Sequence, residues 1–498
     1  MPEKMSAADT ADTRIQQDDA DAATVSAYGY QPVLHRSMGR FSVFAISFSL
    51  ISISTGLFAN YGFGLDQAGP RFVWTWIVVA LGQLVIALNL AHFAPRVPLA
   101  GYAYQWAAKM LSPRFGWFPG WFALVGWLTG TAGVAYAFSS YFDPYVGLGD
   151  AQSTILITTI LLLVIYMTIH IFGIKASAHL NNFSVVAELI GISAAGIGLL
   201  TYSFVAGLPN ATGSFLTSHG TGAGSASLSA LAVSSLAAAY TLTGYEGAAD
   251  LAEEAKNPLR SIPRAIILAE LISATVGFVV ILGFTLAIPT LAAAQASSTP
   301  LLYIMQAHLP ATLTKLSMAL IFLAIFACGL INMAAVSRLG FSMARDNMLP
   351  FSGALQKVSV KYGSPFVMLV VSTIISILFT LGAKVESTIT SVSSVAIFFA
   401  YFLVIFAGMQ SEKTSPRPDG VFSLGRWARP VGVLGLAWCL LICVALTVPS
   451  VGHTAGEGSL VVIGIGLVWY FAWVTRAARH GTLGTDVTSR AQDAELRG

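Results

Sequence analysis

Two apolar runs carry polar groups at their midpoints. The first, residues 41–65, is interrupted by Ser52, Ser54, Thr55 and Gly56. The second, residues 228–251, is interrupted by Thr241, Thr243, Gly244, Tyr245 and Glu246. Lipid offers the backbone no hydrogen-bond partners, so irregular backbone at that depth survives only where it lines a cavity. Unwinding at residues 52–58 would expose the N–H groups that open a second half-helix. The positive end of that half-helix suits a carboxylate, with the Ser54 and Thr55 hydroxyls as further donors. Unwinding at residues 240–250 would free carbonyls before Gly244 for an ammonium group, with Tyr240 or Tyr245 closing over it as a lid or through a cation–π contact. The competing reading is structural: small residues permit close helix packing, and Glu246 caps freed N–H groups. One break in each half of the chain points to a binding site formed between inverted repeats.

Three acids lie in apolar surroundings. Glu246 belongs to the second break itself, and an acid inside a span is a functional candidate by default. Glu188 sits about two turns into the run 183–206, with no basic residue at helical spacing. A carboxyl shut away from water can carry a coupled proton, or it can be a structural acid bonded to nearby hydroxyls and backbone. Glu270 lies nearer the basic end of its run and is expected to snorkel or to pair with Arg264. At helix ends, Glu253 and Glu254 trail the second break, and Arg338 and Arg345 trail the run 315–343. Opposite charges there can form a gate that opens during a transport cycle; the alternative is incidental pairing of charges that anchor topology.

The elements that must position these groups are membrane spans. The 498 residues are 55% hydrophobic and 10% charged, with mean hydropathy +0.73, against about 25% charged in soluble domains. A span needs about 20 apolar residues. Twelve runs qualify: 41–65, 72–94, 116–141, 153–172, 183–206, 228–251, 265–288, 315–343, 365–382, 388–409, 430–450 and 459–475. With both termini cytoplasmic, all but Arg71, Lys315 and Lys384 of the 26 Lys and Arg fall on the inner side, as the positive-inside rule requires. An all-α polytopic membrane protein with twelve transmembrane helices is therefore expected.

The polar connections complete the organisation. Residues 1–40 and 476–498 read as loose cytoplasmic tails, with no cleaved leader in the first of them. The Gly/Ser/Thr-rich stretch 207–227 reads as a flexible outer loop, and 289–314 as short helices along the outer face. Trp74, Trp76, Trp117 and Trp121 are expected in the interfacial aromatic belt. Cys328, Cys439 and Cys443 lie in apolar runs and suggest no disulfide framework. No phosphate loop, metal-ligand spacing or nucleophile elbow occurs, so no metal, no cofactor, no nucleic-acid partner and no enzymatic activity are expected.

The segment from Thr243 to Ala265 (TGYEGAADLAEEAKNPLRSIPRA) resembles a signature of the amino acid–polyamine–organocation permeases. Residues 337–350 (SRLGFSMARDNMLP) and 98–106 (PLAGYAYQW) are similar to other parts of that pattern. The resemblance covers roughly residues 35–475 and looks nearest to the amino acid/choline branch, which includes GABA and choline permeases. It implies the leucine-transporter fold: five-helix repeats at 41–206 and 228–410, inverted relative to each other and joined by 207–227, with two additional helices in 411–475. It places substrate between the broken first and sixth spans. Ser54, Thr55 and Gly56 would then meet a substrate carboxylate, and Tyr240, Thr241 and Gly244 its amino group.

Two positions depart from the pattern. Many members read Gly-Ser-Gly where this chain reads Ser54-Thr55-Gly56, which narrows the backbone cradle. Several carry a lysine in the fifth span, standing in for a sodium ion, where Glu188 falls. A glutamate there would carry a proton, help hold a cation or attract a cationic substrate group. The expected function is proton-coupled import of a small molecule (an amino acid, GABA, choline or another amine) through the lipid bilayer of the plasma membrane. The alternatives are an uncoupled exchanger or facilitator, and a transporter-like receptor that binds without turnover.

Overall fold

An apolar run buried in lipid satisfies its own backbone hydrogen bonds, and the helix is the local way to do so. The computed structural model follows that rule except at two breaks described below. It describes residues 38–172, 174–222, 224–359, 362–382, 386–412, 418, 420–449, 452–480 and 483. The tails expected at 1–40 and 476–498 lie largely outside these residues, as do Arg36, Lys361, Lys384, Lys413 and Arg417. Among the described residues the only β-type pairing is an isolated bridge between Met38 and Ala255.

The helices run α1 (Arg40–Ile51), α2 (Ile53–Ala68), α3 (Val73–Phe93), α4 (Tyr102–Met110), α5 (Pro113–Tyr145), α6 (Gln152–Phe172), α7 (Ile174–Val205), α8 (Leu228–Ser234), α9 (Leu236–Thr241) and α10 (Gly247–Asp250). They continue as α11 (Pro258–Leu286), α12 (Leu291–Ala296), α13 (Pro300–His308), α14 (Ala311–Arg345), α15 (Ser352–Leu355), α16 (Phe366–Gly382), α17 (Glu386–Gln410), α18 (Ala428–Thr447), α19 (His453–Trp469) and α20 (Thr475–Arg479). Nine described stretches are long and apolar enough to cross a membrane. The first, Arg40–Arg96, is 57 residues long and contains α1 to α3. Two shorter apolar helical stretches, Leu228–Thr241 and Phe366–Leu381, accompany them.

The broken helices lie at the centre. α5 packs against α17, α14 and α2, while α11 packs against α7, α3 and α1. α2 and α9 pack on each other. By contrast, α19 leaves Leu460, Val461, Val468 and the following Phe471 exposed at 60% or more, the pattern of a helix whose outer face meets lipid.

Three expectations change in the folded chain. Trp76, Trp117 and Trp121 are buried, and only Trp74 remains exposed. Trp76 Nε1 donates to the Ala274 carbonyl at 2.9 Å, and Trp117 stacks on Trp121 at 5.6 Å. These rings fill inter-helix space, because a bulky ring opposite a glycine such as Gly277 packs a close helix crossing. Glu270 is fully buried and makes no ion pair with Arg264 among the described residues. It sits on the face of α11 turned into the bundle, too deep for its short side chain to snorkel. The loop 207–227 is tethered: Arg71 Nη2 donates to the carbonyls of Ser225 and Ser227, both at 2.7 Å, and Trp74 Nε1 donates to that of Leu216 at 2.9 Å. Two short helices, α12 and α13, occupy the stretch 289–314.

Candidate functional site

The first break is a single residue. Ser52 ends α1 and precedes α2 with φ +35°, a left-handed geometry uncommon for a residue with a side chain. Its hydroxyl accepts from the Thr55 N–H at 3.2 Å and so caps α2. The same hydroxyl donates to Glu188 Oε1 at 2.9 Å, and the Ser54 N–H donates to that oxygen, also at 2.9 Å. Glu188, from α7, therefore lies on the N-terminus of α2, where exposed N–H groups and the helix dipole favour a carboxylate. Thr55 Oγ1 is 2.7 Å from Ser52 Oγ.

The second break is longer. Helix α9 stops at Thr241, and the chain turns through residues 242–246 before α10. Gly244 takes φ +104°, and a Cβ there would lie 2.9 Å from Leu50 Cβ. Glycine supplies both the conformation and the space. Glu246 Oε2 accepts from the Tyr401 hydroxyl at 2.6 Å, and that hydroxyl accepts from the Gly244 N–H at 3.3 Å. Glu246 is thus bound to the break through Tyr401. Tyr245 stacks on Tyr401 at 5.7 Å and donates to Gln83 Oε1 at 3.0 Å.

The two breaks touch. A Cβ on Gly56 would meet Thr241 Oγ1 at 1.9 Å, and one on Gly247 would meet Leu50 Cδ1 at 1.8 Å. Beside this contact lies a small cavity of about 20 Å³, lined by Leu50, Ile51, Thr55, Trp127, Gly130, Val134, Tyr240, Thr243, Cys328, Asn332, Ser393 and Ile397. Its lining is uncharged and mixes aliphatic, aromatic, hydroxyl and amide groups.

Of the residues singled out in the sequence, Thr55, Tyr240 and Thr243 line this cavity. Ser52 and Ser54 stand behind it on Glu188, while Gly56, Thr241 and Gly244 hold the breaks together. Tyr245 belongs to the Gln83–Tyr401 side of the second break. Sequence reasoning missed Trp127, Asn332 and Ser393. Asn332 carried a usable signal, an amide inside the apolar run 315–343. Trp127 did not, since one tryptophan among several on α5 has no local mark that it faces a cavity.

At the end of the bundle carrying α10, the paired charges come together. Arg338 Nε lies 3.3 Å from Glu254 Oε1, and Arg345 Nη2 lies 3.6 Å from Glu253 Oε1. Glu253 Oε1 also accepts from the Ala100 N–H at 3.1 Å, and Asp346 Oδ2 accepts from the Tyr104 hydroxyl at 2.6 Å. The Met38 N–H donates to the Glu254 carbonyl at 3.1 Å, so the start of the described chain covers the same segment. A second cluster joins Glu412 to Arg96 and His92. Burial alone would push the Glu412 carboxyl up, but the hydrogen bond and charge of Arg96, with His92, outweigh it and hold the group below its ordinary value.

Comparison with known proteins adds an independent line. A family model described as amino acid permease matches residues 38–471. The amino-acid permease BAT1 of Arabidopsis thaliana is 26% identical over 500 residues, covering 93% of this chain and 95% of that protein. The thiamine transporter thi9 of Schizosaccharomyces pombe is 26% identical over 507 residues, covering 92% and 85%. A putative polyamine transporter of Candida albicans is 25% identical over 463 residues, covering 87% and 82%.

Proposed function

Because the chain belongs to the amino acid permease family, we propose that it imports an amino acid or related small amine across the plasma membrane by proton-coupled alternating access. It is a multi-pass membrane transporter rather than an enzyme. The finer reading assigns twelve spans: Arg40–Arg96 contributes two, and the shorter Leu228–Thr241 and Phe366–Leu381 each contribute one. In this reading residues 41–206 and 228–410 are the inverted repeats, 207–227 is the outer loop, 411–475 adds two helices, and the tails 1–40 and 476–498 are cytoplasmic.

One observation carries the mechanism. Glu188 binds the backbone N–H and hydroxyl of the first break, directly behind Thr55 on the cavity wall. A carboxylate at that point holds the break in its present shape, and a neutral carboxyl holds it less strongly, since charge-assisted hydrogen bonds are roughly twice as strong. Protonation of Glu188 thereby changes the geometry of the cavity wall, which is the coupling that transport against a gradient requires. Substrate sits between the breaks, with its ammonium toward Tyr240, Thr243 and the carbonyls before Gly244. Glu246 fixes the second break through Tyr401. Glu253, Glu254, Arg338 and Arg345 form the cytoplasmic gate.

An uncharged cavity bordered by Tyr240 and Trp127 suits a small amine held by cation–π contact and carbonyls. Relatives named for thiamine and polyamine support the wider amine class. The test is uptake of a radiolabelled amino acid and amine panel into proteoliposomes, with and without an inward proton gradient. Gradient-driven accumulation of one compound supports the reading. Exchange without accumulation replaces it with an uncoupled exchanger, and binding without either replaces it with a receptor.

A further inference from the structure

We propose that Asp250, Glu270 and Glu246 form a second proton-holding site, distinct from the Glu188 bond and buried between the second break and the start of α4. Asp250 and Glu270 are both fully buried, and none of their four carboxyl oxygens has a hydrogen-bond partner among the described residues. Glu246 Oε1 is in the same condition. The ion pairs among the described residues involve Glu253, Glu254 and Glu412 and none of these three acids.

The backbone places the acids in one neighbourhood. The Gly101 N–H approaches the Asp250 carbonyl at 3.4 Å, which sets Asp250 against the first residue of α4, Tyr102. Tyr102 is fully buried, its hydroxyl has no hydrogen-bond partner among the described residues, and its electrostatic neighbours are Glu246, Asp250 and Cys439. Glu246 is in turn the charged neighbour of both Asp250 and Glu270. Gln83, which holds Tyr245 through Oε1, keeps a buried, unpartnered Nε2. Orphaned acceptors and orphaned donors thus stand around the same break.

Three ionised carboxylates in such a place would repel one another while forfeiting their hydration. Acids inside a membrane protein are tolerated when something compensates the charge. The electrostatic partners of the three acids among the described residues include no cation: they are Tyr102 on α4, Tyr245 at the break and Tyr401 on α17, with Cys439 on α18 beside the tyrosines. The same elements also carry Lys109 on α4 and Arg260 and Arg264 in the first two turns of α11. Neighbouring elements bring Glu188 on α7, which is bound at the first break, and Arg40 on α1. They also bring Arg96, Arg338 and Arg345, which are ion-paired. No three described His, Cys, Asp or Glu side chains are placed to share a metal ion. A proton on a carboxyl removes its charge and turns an acceptor-only group into a donor as well, which lets a buried acid bond to trapped water. The site lies three residues from Glu253, so a proton gained or lost there acts next to the gate.

The test uses the purified full-length protein in nanodiscs, without substrate. Infrared difference spectra are recorded from acid to alkaline pH on wild type, Asp250→Asn and Glu270→Gln. The protonated-carboxyl carbonyl band is expected in wild type at neutral pH and reduced in each variant. The folded state then holds protons that the unfolded chain releases above about pH 4, so wild-type melting temperature falls as pH rises from there through neutral, until the folded acids themselves ionise. Glu270→Gln is expected to flatten that fall, because its amide has no proton for the unfolded chain to release. A band that persists unchanged in both variants overturns the proposal. So does a melting temperature raised when sodium replaces N-methyl-glucamine in wild type and not in the variants, because the acids then hold a metal cation. Should Asp250→Asn fail to fold, Glu270→Gln and the sodium comparison still decide. Neither readout depends on uptake, so failure of the transport reading leaves this result distinguishable.

Discussion

The Ser54 N–H donates to Glu188 Oε1 at 2.9 Å across 134 positions of sequence. A buried acid on one helix thus closes the N-terminus of another at the point where the chain breaks. The donors expected for a substrate carboxylate are shared: Ser54 serves Glu188, and Thr55 N–H serves Ser52. In the reading proposed above, a substrate carboxylate would have to compete with Glu188 for this end of α2.

Glu188→Gln keeps the shape of the side chain and removes its titration. In proteoliposomes the variant is expected to lose most of the stimulation by an inward proton gradient while still exchanging internal for external substrate. Gradient-driven accumulation at the wild-type level in Glu188→Gln sinks the coupling role.

Gly56→Ala places a methyl group 1.9 Å from Thr241 Oγ1. Overpacking of this kind typically costs about 1–3 kcal/mol, and here it also pushes the two breaks apart. The expected result is loss of substrate binding with a lowered melting temperature. Gly198→Ala is the control, since a Cβ there meets nothing within 4 Å, and it should behave as wild type in the same binding and melting measurements.

The Arg338–Glu254 pair is largely buried, with side-chain exposures of 9% and 13%. Arg338→Glu and Glu254→Arg singly should each depress uptake strongly, because each leaves like charges facing one another. The double reversal should recover a large part of it, with a coupling energy of roughly 0.5–3 kcal/mol in a double-mutant cycle. Additive losses in the cycle would falsify the pairing as a working gate contact.

Glu412 gives a pH prediction of definite sign. Its folded carboxyl sits below its ordinary value. The stability it contributes is present above the unfolded value, about 4.3 for a glutamate, and is lost as pH falls through the lower folded value. Melting temperature measured over that acid window should drop in wild type and drop less steeply in Glu412→Gln. Because Glu412 is 40% exposed, solvent screening keeps the effect modest.

Much of the architecture was legible in local sequence. Apolar runs predicted the helices, and the serine, threonine and glycine insertions located both breaks. Opposite charge signs marked Glu253 and Glu254 as candidate partners of Arg338 and Arg345, beside the alternative of incidental pairing, and the folded chain brings the charges into contact. Other features were not legible, since they depend on which face of a helix meets which neighbour. Trp76 and Trp117 read as interfacial and are packed inside. Glu270 read as a residue near the surface and is buried, with no hydrogen-bond partner for its carboxyl among the described residues.

The sequence by itself determined the family, the all-helical character of the described chain and the places where helices stop being regular, because these follow from composition and from residue types within a few positions. The tertiary structure alone decided that Glu188 meets Ser54, that Gly56 fits against Thr241, and that Thr55, Tyr240 and Thr243 share one cavity with Asn332 and Trp127. Each is a contact between residues far apart in the chain. Helix periodicity states that a side chain repeats on a face, but only packing fixes what that face touches.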